Sequence, residues 1–402
     1  MTEFPHLRVS GPAQERGRQY GEQARTRIQR SVSEYRQVFA SLADWDWSRV
    51  RTEAARFEAP IAAFRPSFIT EMHGIADGAS LDFLDVLAIN VRTEVMYAAK
   101  ARQAAAIGAV PAECSAFAVA PAPGRPGPTL LGQNWDWLPH TADTVVVLEV
   151  QQDDGPDFVT VVEAGLLAKS GMNSSGLGLV TNALVTADDL GRPGLPYHVM
   201  LRAILESETV SDALTALQGG FRSSSANYLL AHRDGIALDV EGAPGDFSRL
   251  YFVYPGSDGV ILHTNHFVSE RFTGRDVSVW AMPDSPVRMQ RLLAGMEATP
   301  DRSLDTFRSL LSDHANYPSG VCCHPDPRMA AVSQGMTVTS VLMDLTAQRM
   351  WIADGNPCTA PYRELDYSHF LAKPSPVVEH NPTPQLSHLV GANMAGDMAG
   401  GE

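Results

Sequence analysis

Residues 112–117 read Ala112-Glu113-Cys114-Ser115-Ala116-Phe117, and at this point the chain changes character. Upstream, the run after Gly11-Pro12 carries Ile28, Val32, Tyr35, Val38, Phe39 and Leu42 at the three-four spacing of an amphipathic helix. Helical patterning continues over Val50–Phe57, Ile61–Ile75 and Leu81–Tyr97, with Ser80 offered as the N-cap of the last. Residues 1–105 therefore read as mostly helical. Downstream, Cys114–Ala120 and Thr129–Asp136 read as two strands, and the turn-forming Pro121-Ala-Pro-Gly-Arg-Pro-Gly-Pro128 between them makes a hairpin.

Further strands are expected at Val145–Val150, Phe158–Val162 and Gly176–Asn182, then helices at His198–Leu205 and Val210–Leu217. Strands return at Ala226–Ala231, Ile236–Val240, Leu250–Tyr254 and Val260–His263. Helices at Val287–Leu293 and Leu304–Leu311 precede closing strands at Thr337–Asp344 and Arg349–Ile352. Alternating blocks of strands and helices predict two packed sheets with helices outside, an α+β domain. After about Leu371 the chain is rich in Pro, His, Met and Gly without periodicity and reads as a flexible tail, 372–402.

The composition is that of a soluble globular protein, 44% hydrophobic and 19% charged, with no apolar run of membrane-spanning length. Thirty-one basic against 46 acidic residues give a net charge of −15, which argues against nucleic acid or anionic membranes as partners. The N-terminus, Met1-Thr-Glu-Phe-Pro-His-Leu-Arg8, lacks a secretory layout. Four irregularly spaced cysteines (Cys114, Cys322, Cys323, Cys358) do not form a disulfide framework. A cytoplasmic location, where a thiol stays reduced, is the expectation.

A cysteine opening a strand just after the looser Gly108-Ala-Val-Pro111 is an odd place for a core filler. Its thiol lies beside the carbonyl of Glu113. Attack there, followed by hydrolysis of the thioester, cuts the chain between Glu113 and Cys114 and leaves Cys114 as a new N-terminus. An α-amino group titrates near ~7.7–8 and a thiol near ~8.5, so the amine can act as base for its own side chain. No metal or cofactor is called for in that chemistry. The bland alternative is a buried, inert cysteine.

Several short motifs, in order along residues 11–344, resemble those of the acyl-coenzyme A:6-aminopenicillanic acid acyltransferase family (isopenicillin N acyltransferase-like), within the N-terminal nucleophile hydrolase superfamily. Glu15-Arg16-Gly17-Arg18-Gln19-Tyr20-Gly21 resembles the opening motif, and Glu113-Cys114-Ser115 the cleavage site. Asn134-Trp135-Asp136 follows on the next strand. Gly171-Met172-Asn173-Ser174-Ser175-Gly176-Leu177 is similar to the family's turn, with Asn182 beyond it. Ser225-Ala226-Asn227, His263-Thr264-Asn265-His266 and the closing strand Thr337–Asp344 complete the set.

The resemblance implies a four-layer αββα sandwich and self-cleavage of a zymogen. A short chain, 1–113, and a catalytic chain, 114–371, would remain associated in one compact domain. It also implies acyl transfer or hydrolysis at amide or thioester bonds of small molecules, as in secondary metabolism, through an acyl-thioenzyme on Cys114. Asp136 would lie beside the new amine, and Asn227, or secondarily Asn182, would donate to the oxyanion. Ser115 and Ser319 are supporting candidates; self-association is left open. One departure stands out: Ser319-Gly-Val-Cys-Cys-His324 has Cys323 where the family pattern has arginine, so a guanidinium that could hold a carboxylate is expected to be missing.

Rival readings exist. His263, His266, Cys322, Cys323 and His324 include zinc's preferred ligand types, so a zinc-dependent hydrolase is one alternative. A papain-like Cys114–His pair would work in an uncut chain. A non-catalytic member that only binds a small ligand is the third.

Overall fold

The computed structural model describes residues 3–102 and 114–372. Strand β1 (His6–Ser10) opens the chain and is followed by seven helices: α1 (Ala13–Gln23), α2 (Arg25–Ala43), α3 (Trp47–Ala55), α4 (Glu58–Phe64), α5 (Pro66–Ala79), α6 (Phe83–Asn90) and α7 (Arg92–Arg102). After the junction come β2 (Cys114–Val119), β3 (Leu130–Trp137), β4 (Val145–Gln151), β5 (Phe158–Glu163), β6 (Ser170–Asn173) and β7 (Leu177–Ala183). Helices α8 (Tyr197–Leu205) and α9 (Val210–Leu217) lead into β8 (Ala226–His232), β9 (Ile236–Gly242), β10 (Leu250–Val253) and β11 (Val260–His263). The last elements are α10 (Ser278–Ala281), α11 (Ser285–Ala298), α12 (Leu304–Leu311), β12 (Met336–Asp344), β13 (Arg349–Ala353) and β14 (Tyr362–Asp366).

Two sheets result, an eight-stranded one in the order β1-β4-β5-β6-β7-β8-β9-β10 and a six-stranded one in the order β11-β2-β3-β12-β13-β14. The two-residue period of β2 shows how they stack. Cys114, Ala116 and Ala118 point into the large core between the sheets, which includes Leu179, Val180 and Leu229 of the facing sheet. Phe117 and Val119 point the other way, into a smaller core closed by Leu292 and Met296 of α11 and Phe307 and Leu311 of α12. Phe117 and Phe307 stack at 3.7 Å. Small side chains inward and large ones outward let the sheets approach closely at the Cys114 end. The architecture is the αββα sandwich, with helices outside both sheets.

The opening motif is structural. Gly17 of α1 and Gly74 of α5 face each other so closely that a Cβ on either would fall on the other helix's backbone; Gly21 and Gly78 repeat the contact one turn on. Arg16 reaches Glu71 at 2.9 Å, and Arg202 of α8 grips the same carboxylate through both oxygens at 2.8 and 2.9 Å. Burial pushes Glu71 up, but the two guanidinium groups hold it below the usual carboxylate range. Arg92 of α7 pairs with Glu163 of β5 at 3.2 Å, and Tyr35 donates to the same carboxylate. Buried ion pairs thus tie the helical segment to the rest of the domain.

Some elements differ from the sequence expectation. The first segment is not wholly helical: β1 pairs in parallel with β4, His6 opposite Val147. The helix expected at 81–97 is two helices broken at Val91. Asp82, not Ser80, caps α6, its carboxylate accepting from the Leu84 N–H, while Ser80 ends α5 in a left-handed conformation. Strands β6 and β14 were not anticipated.

Candidate active site

Cys114 is the first residue of β2 and is buried. Its backbone nitrogen donates to Asn265 Oδ1 at 2.6 Å, and its carbonyl accepts from Arg288 of α11 at 2.6 Å. Arg288 also reaches Asn265 Oδ1 at 2.9 Å and Ser115 Oγ at 3.1 Å, and is anchored one turn back on Asp284. Asn265 in turn donates to the Ala183 carbonyl of β7, 2.9 Å away. The backbone ends of Cys114 are therefore fixed by a buried amide and a buried guanidinium. A guanidinium does reach the site, but from α11 rather than from position 323.

Asp136 sits on β3 one residue past Trp135, the partner of Cys114 in the ladder. A bulge in β12 between Thr337 and Thr339 turns Thr337 toward it, and the threonine hydroxyl donates to Asp136 Oδ1 at 2.6 Å. Its other carboxylate oxygen has no hydrogen-bond partner. Burial pushes the Asp136 carboxyl up to about 7, against the pull of Arg288 and Thr337. Burial also pushes the Cys114 thiol up to about 11; Lys169 opposes this, Asp136 adds to it, and the Asp136 backbone N–H donating to the sulfur lowers it again. Lys169 lies 4.4 Å over the Trp135 ring, and burial brings it down to about 8, with the Cys114 thiolate opposing. At neutral pH the thiol keeps its proton, so it needs a base at the moment of attack.

Asn182 and Asn227 are opposite each other on β7 and β8. Asn227 Nδ2 donates to Asn182 Oδ1 at 3.2 Å, which leaves Asn182 Nδ2 and Asn227 Oδ1 buried without partners. An unpartnered buried amide is costly, and a donor aimed at nothing is what an oxyanion site requires before its substrate arrives. The unspent donor belongs to Asn182, the residue placed second by sequence, and neither amide lines the pocket at Cys114. Ser115 faces α11 rather than the inter-sheet space. Ser319 lies in the loop before β12, where its backbone bridges Cys323, and it does not line the pocket at Cys114. Glu113 falls outside the described residues.

A pocket of about 30 Å³ opens beside Cys114, lined by Asp136, Lys169, Tyr97, Tyr197 and His198 among others. That is room for a water or two. A larger cavity, about 650 Å³, lies at the Val119 end of β2, about 17 Å from Cys114 at a strand's rise per residue. It does not contain the reactive groups.

Of the residues of the zinc alternative, Cys322 and His324 lie together, while His263 and His266 lie apart from them. His263 bonds Glu241 at 3.0 Å and the Thr264 carbonyl, and His266 bonds Ser285 Oγ. Neither joins Cys322 or His324 in a ligand cluster among the described residues.

Residues 124–358, more than half of the chain, match the profile of acyl-coenzyme A:6-aminopenicillanic acid acyl-transferase. The chain belongs to this family. It is 28% identical over 299 residues to the 40 kDa form of acyl-coenzyme A:6-aminopenicillanic-acid-acyltransferase of Emericella nidulans, covering 73% of this chain and 76% of that protein. Among solved structures, the R18L variant of conjugated bile acid hydrolase from Clostridium perfringens aligns with a TM-score of 0.45 at 14% identity, over 69% of this chain and all of that one. Penicillin V acylase from Agrobacterium tumefaciens aligns with a TM-score of 0.35 at 14% identity, over 64% and 88% of the two chains. These likenesses are too remote to bear on function. Family membership makes the chain an enzyme of acyl-group chemistry, acyl transfer or amide hydrolysis. The matched span begins ten residues after Cys114 and so does not include it.

No helix among the described residues is long and apolar enough to cross a membrane.

Sequence reasoning missed Arg288, Lys169 and Tyr197. Asn265 and Thr337 lay inside motifs that were noticed, but nothing marked them as the residues that touch Cys114 and Asp136.

Proposed function

We infer that the chain is a self-processing cysteine N-terminal nucleophile enzyme that cleaves or transfers acyl groups of small amides or thioesters. The observation that carries this reading is the grip on the Cys114 backbone: Asn265 Oδ1 accepts from the nitrogen at 2.6 Å while Arg288 holds the carbonyl. At the start of β2 that nitrogen is held by a buried side chain from another part of the chain and not by the neighbouring strand. An α-amine released there would stay within reach of its own thiol.

In the first step the Cys114 thiol adds to the Glu113 carbonyl carbon, and the C–N bond to Cys114 breaks. The nitrogen leaves with the thiol proton, giving a thioester and an α-amine. Water hydrolyses the thioester and frees the Glu113 carboxylate. In turnover the amine, near ~7.7–8, takes the thiol proton as sulfur attacks the acyl carbonyl, and returns it to the leaving amine or thiol. Asn182 Nδ2, supported by Asn227, donates to the oxyanion. Asp136 faces the new ammonium, and Lys169 favours the thiolate against burial. Water or a second amine then accepts the acyl group. The buried ion pairs of Glu71 and Glu163 keep the short chain docked after the cut.

Intact-mass measurement of the purified protein tests the reading. Two chains meeting at Glu113/Cys114 are expected, with one full-length inactive chain for Cys114→Ala. An active preparation with an unbroken chain would overturn the self-processing step.

A further inference from the structure

Beyond the catalytic reading, a second group of reactive side chains gathers where the 313–324 loop meets the segment between β13 and β14. His314, Cys322, His324 and Cys358 each place one ligand atom so that all four lie within 4.8 Å of one another. His324 Nε2 is 3.1 Å from His314 Nε2, 3.5 Å from Cys322 Sγ and 3.5 Å from Cys358 Sγ. Hydrogen bonding cannot explain this convergence. An imidazole nitrogen carries one hydrogen or one lone pair, and here three partners crowd the same atom.

A tetrahedral ion explains it directly. With Zn–N near ~2.0–2.1 Å and Zn–S near ~2.3 Å, the edges of a Cys₂His₂ tetrahedron come to roughly 3.3 Å for N···N and 3.6 Å for N···S. The three separations above match those edges closely. We propose that His314, Cys322, His324 and Cys358 bind one structural zinc ion. Two thiolates and two imidazoles are the soft-to-borderline donor set that selects zinc over the hard oxygen-seeking cations. Four protein ligands complete the shell, which leaves no open position for substrate.

The surroundings fit a ligand site. Asn356 Nδ2 lies 3.5 Å from Cys322 Sγ and donates at 2.6 Å to the Cys323 carbonyl, an amide oriented to serve a thiolate from outside the first shell. The Cys322 N–H is fixed on the Asp313 carbonyl and the His324 N–H on the Pro318 carbonyl, so the 313–324 loop presents three of the ligands in one turn. Cys322 is buried and His314 is exposed, so the ion has both a dry floor and a path in. Cys323 points elsewhere, which resolves how neighbouring cysteines can coexist with one ion: only the first is a ligand.

The site also bears on the catalytic centre. The Cys323 N–H donates to Thr337 Oγ1 at 2.9 Å, and its carbonyl accepts from the Thr337 N–H at 2.9 Å. Thr337 is the residue that holds Asp136. The ion would therefore pin the loop that positions Thr337.

Elemental analysis of wild-type protein purified without chelator is expected to give one zinc per chain, and the same in Cys114→Ala, since the site does not depend on self-cleavage. After removal of the metal, Co²⁺ should restore a spectrum with tetrahedral ligand-field bands and a thiolate-to-cobalt charge-transfer band. Cys358→Ser should weaken that band and Cys322→Ser/Cys358→Ser should abolish it, while Asn356→Ala should weaken metal affinity by roughly 10–100-fold. The partly exposed Cys358 and the exposed His314 provide variants that keep the core intact. Folded wild-type protein that contains no zinc and takes up no cobalt would overturn the proposal. So would a native Cys322–Cys358 disulfide found by mass under non-reducing conditions.

Discussion

The chain holds two cysteine centres, and they are built on opposite plans. At Cys114 a single thiol lies among groups that hold its backbone and neighbours, while its sulfur accepts one backbone N–H. At Cys322 two thiols and two imidazoles turn their reactive atoms toward one point. The first arrangement suits the nucleophile proposed for it, fixing the position of the thiol and leaving its valence open. The second uses up every valence on a shared partner. Convergence or isolation of the reactive atoms, more than burial or residue type, separates a thiol poised to react from one poised to hold.

The sharpest way to break this contrast is Cys114→Ala. Turnover should fall to background and the chain should remain in one piece, while zinc content and melting temperature stay near wild type. A substantial residual rate in steady-state assay would move the nucleophile elsewhere. Next in size is Asn182→Ala, which removes the unpartnered donor and should lower kcat by roughly 10²–10³, or about 2.7–4 kcal/mol in the transition state. If Asn227→Ala costs more than Asn182→Ala, the two amides exchange the roles assigned here.

At the second centre, chelation should lower the melting temperature of wild type by several degrees and leave a Cys322→Ser/Cys358→Ser variant unmoved. Activity of the folded variant should survive in reduced form, because only the Thr337 support is loosened. The smallest effect concerns pH. In the uncut Cys114→Ala chain, where no ammonium faces Asp136, burial raises its folded pKa to about 7, above ~3.9 for the unfolded chain, so the native state binds the extra proton between those values. This group's contribution to stability therefore falls as pH rises from about 4 to about 7. Asp136→Asn should flatten that part of the slope in urea-melt titrations. Glu94, Asp189 and Asp239 are raised in the same direction and keep the remainder.

Much of the frame could be read from residue patterns, because it rests on local signals. The β2–β3 hairpin had a Pro/Gly turn, and α8, α9 and α12 had clear periodicity that the structure reproduces within a few residues. The missed strands lacked such signals. β6 is Ser-Gly-Met-Asn, with no β-branched residue, and β14 is Tyr-Arg-Glu-Leu-Asp on a sheet edge. Both are held by pairing with the strands next to them in the chain, β5 and β7 for β6 and β13 for β14.

The site divides along the same line. Cys114, Asp136, Asn182 and Asn227 stood in motifs with a strand address. Arg288 looked like any charged residue on an amphipathic helix, and only the packing of α11 on β2 brings it to the Cys114 carbonyl. The His314 cluster was hidden for a related reason. Its ligands are spaced irregularly, and the fourth, Cys358, arrives from beyond β13, so no short pattern contains them.

The pairing of β1 with β4 has a consequence for synthesis. His6 meets Val147 about 140 residues later, so at roughly 5–20 residues per second the first strand waits on the order of 7–30 s for its partner to be made. During that interval α1 and α5 can already close their glycine seam, while the edge of β1 stays unmatched. The earliest part of the chain to emerge is thus among the later parts to be completed.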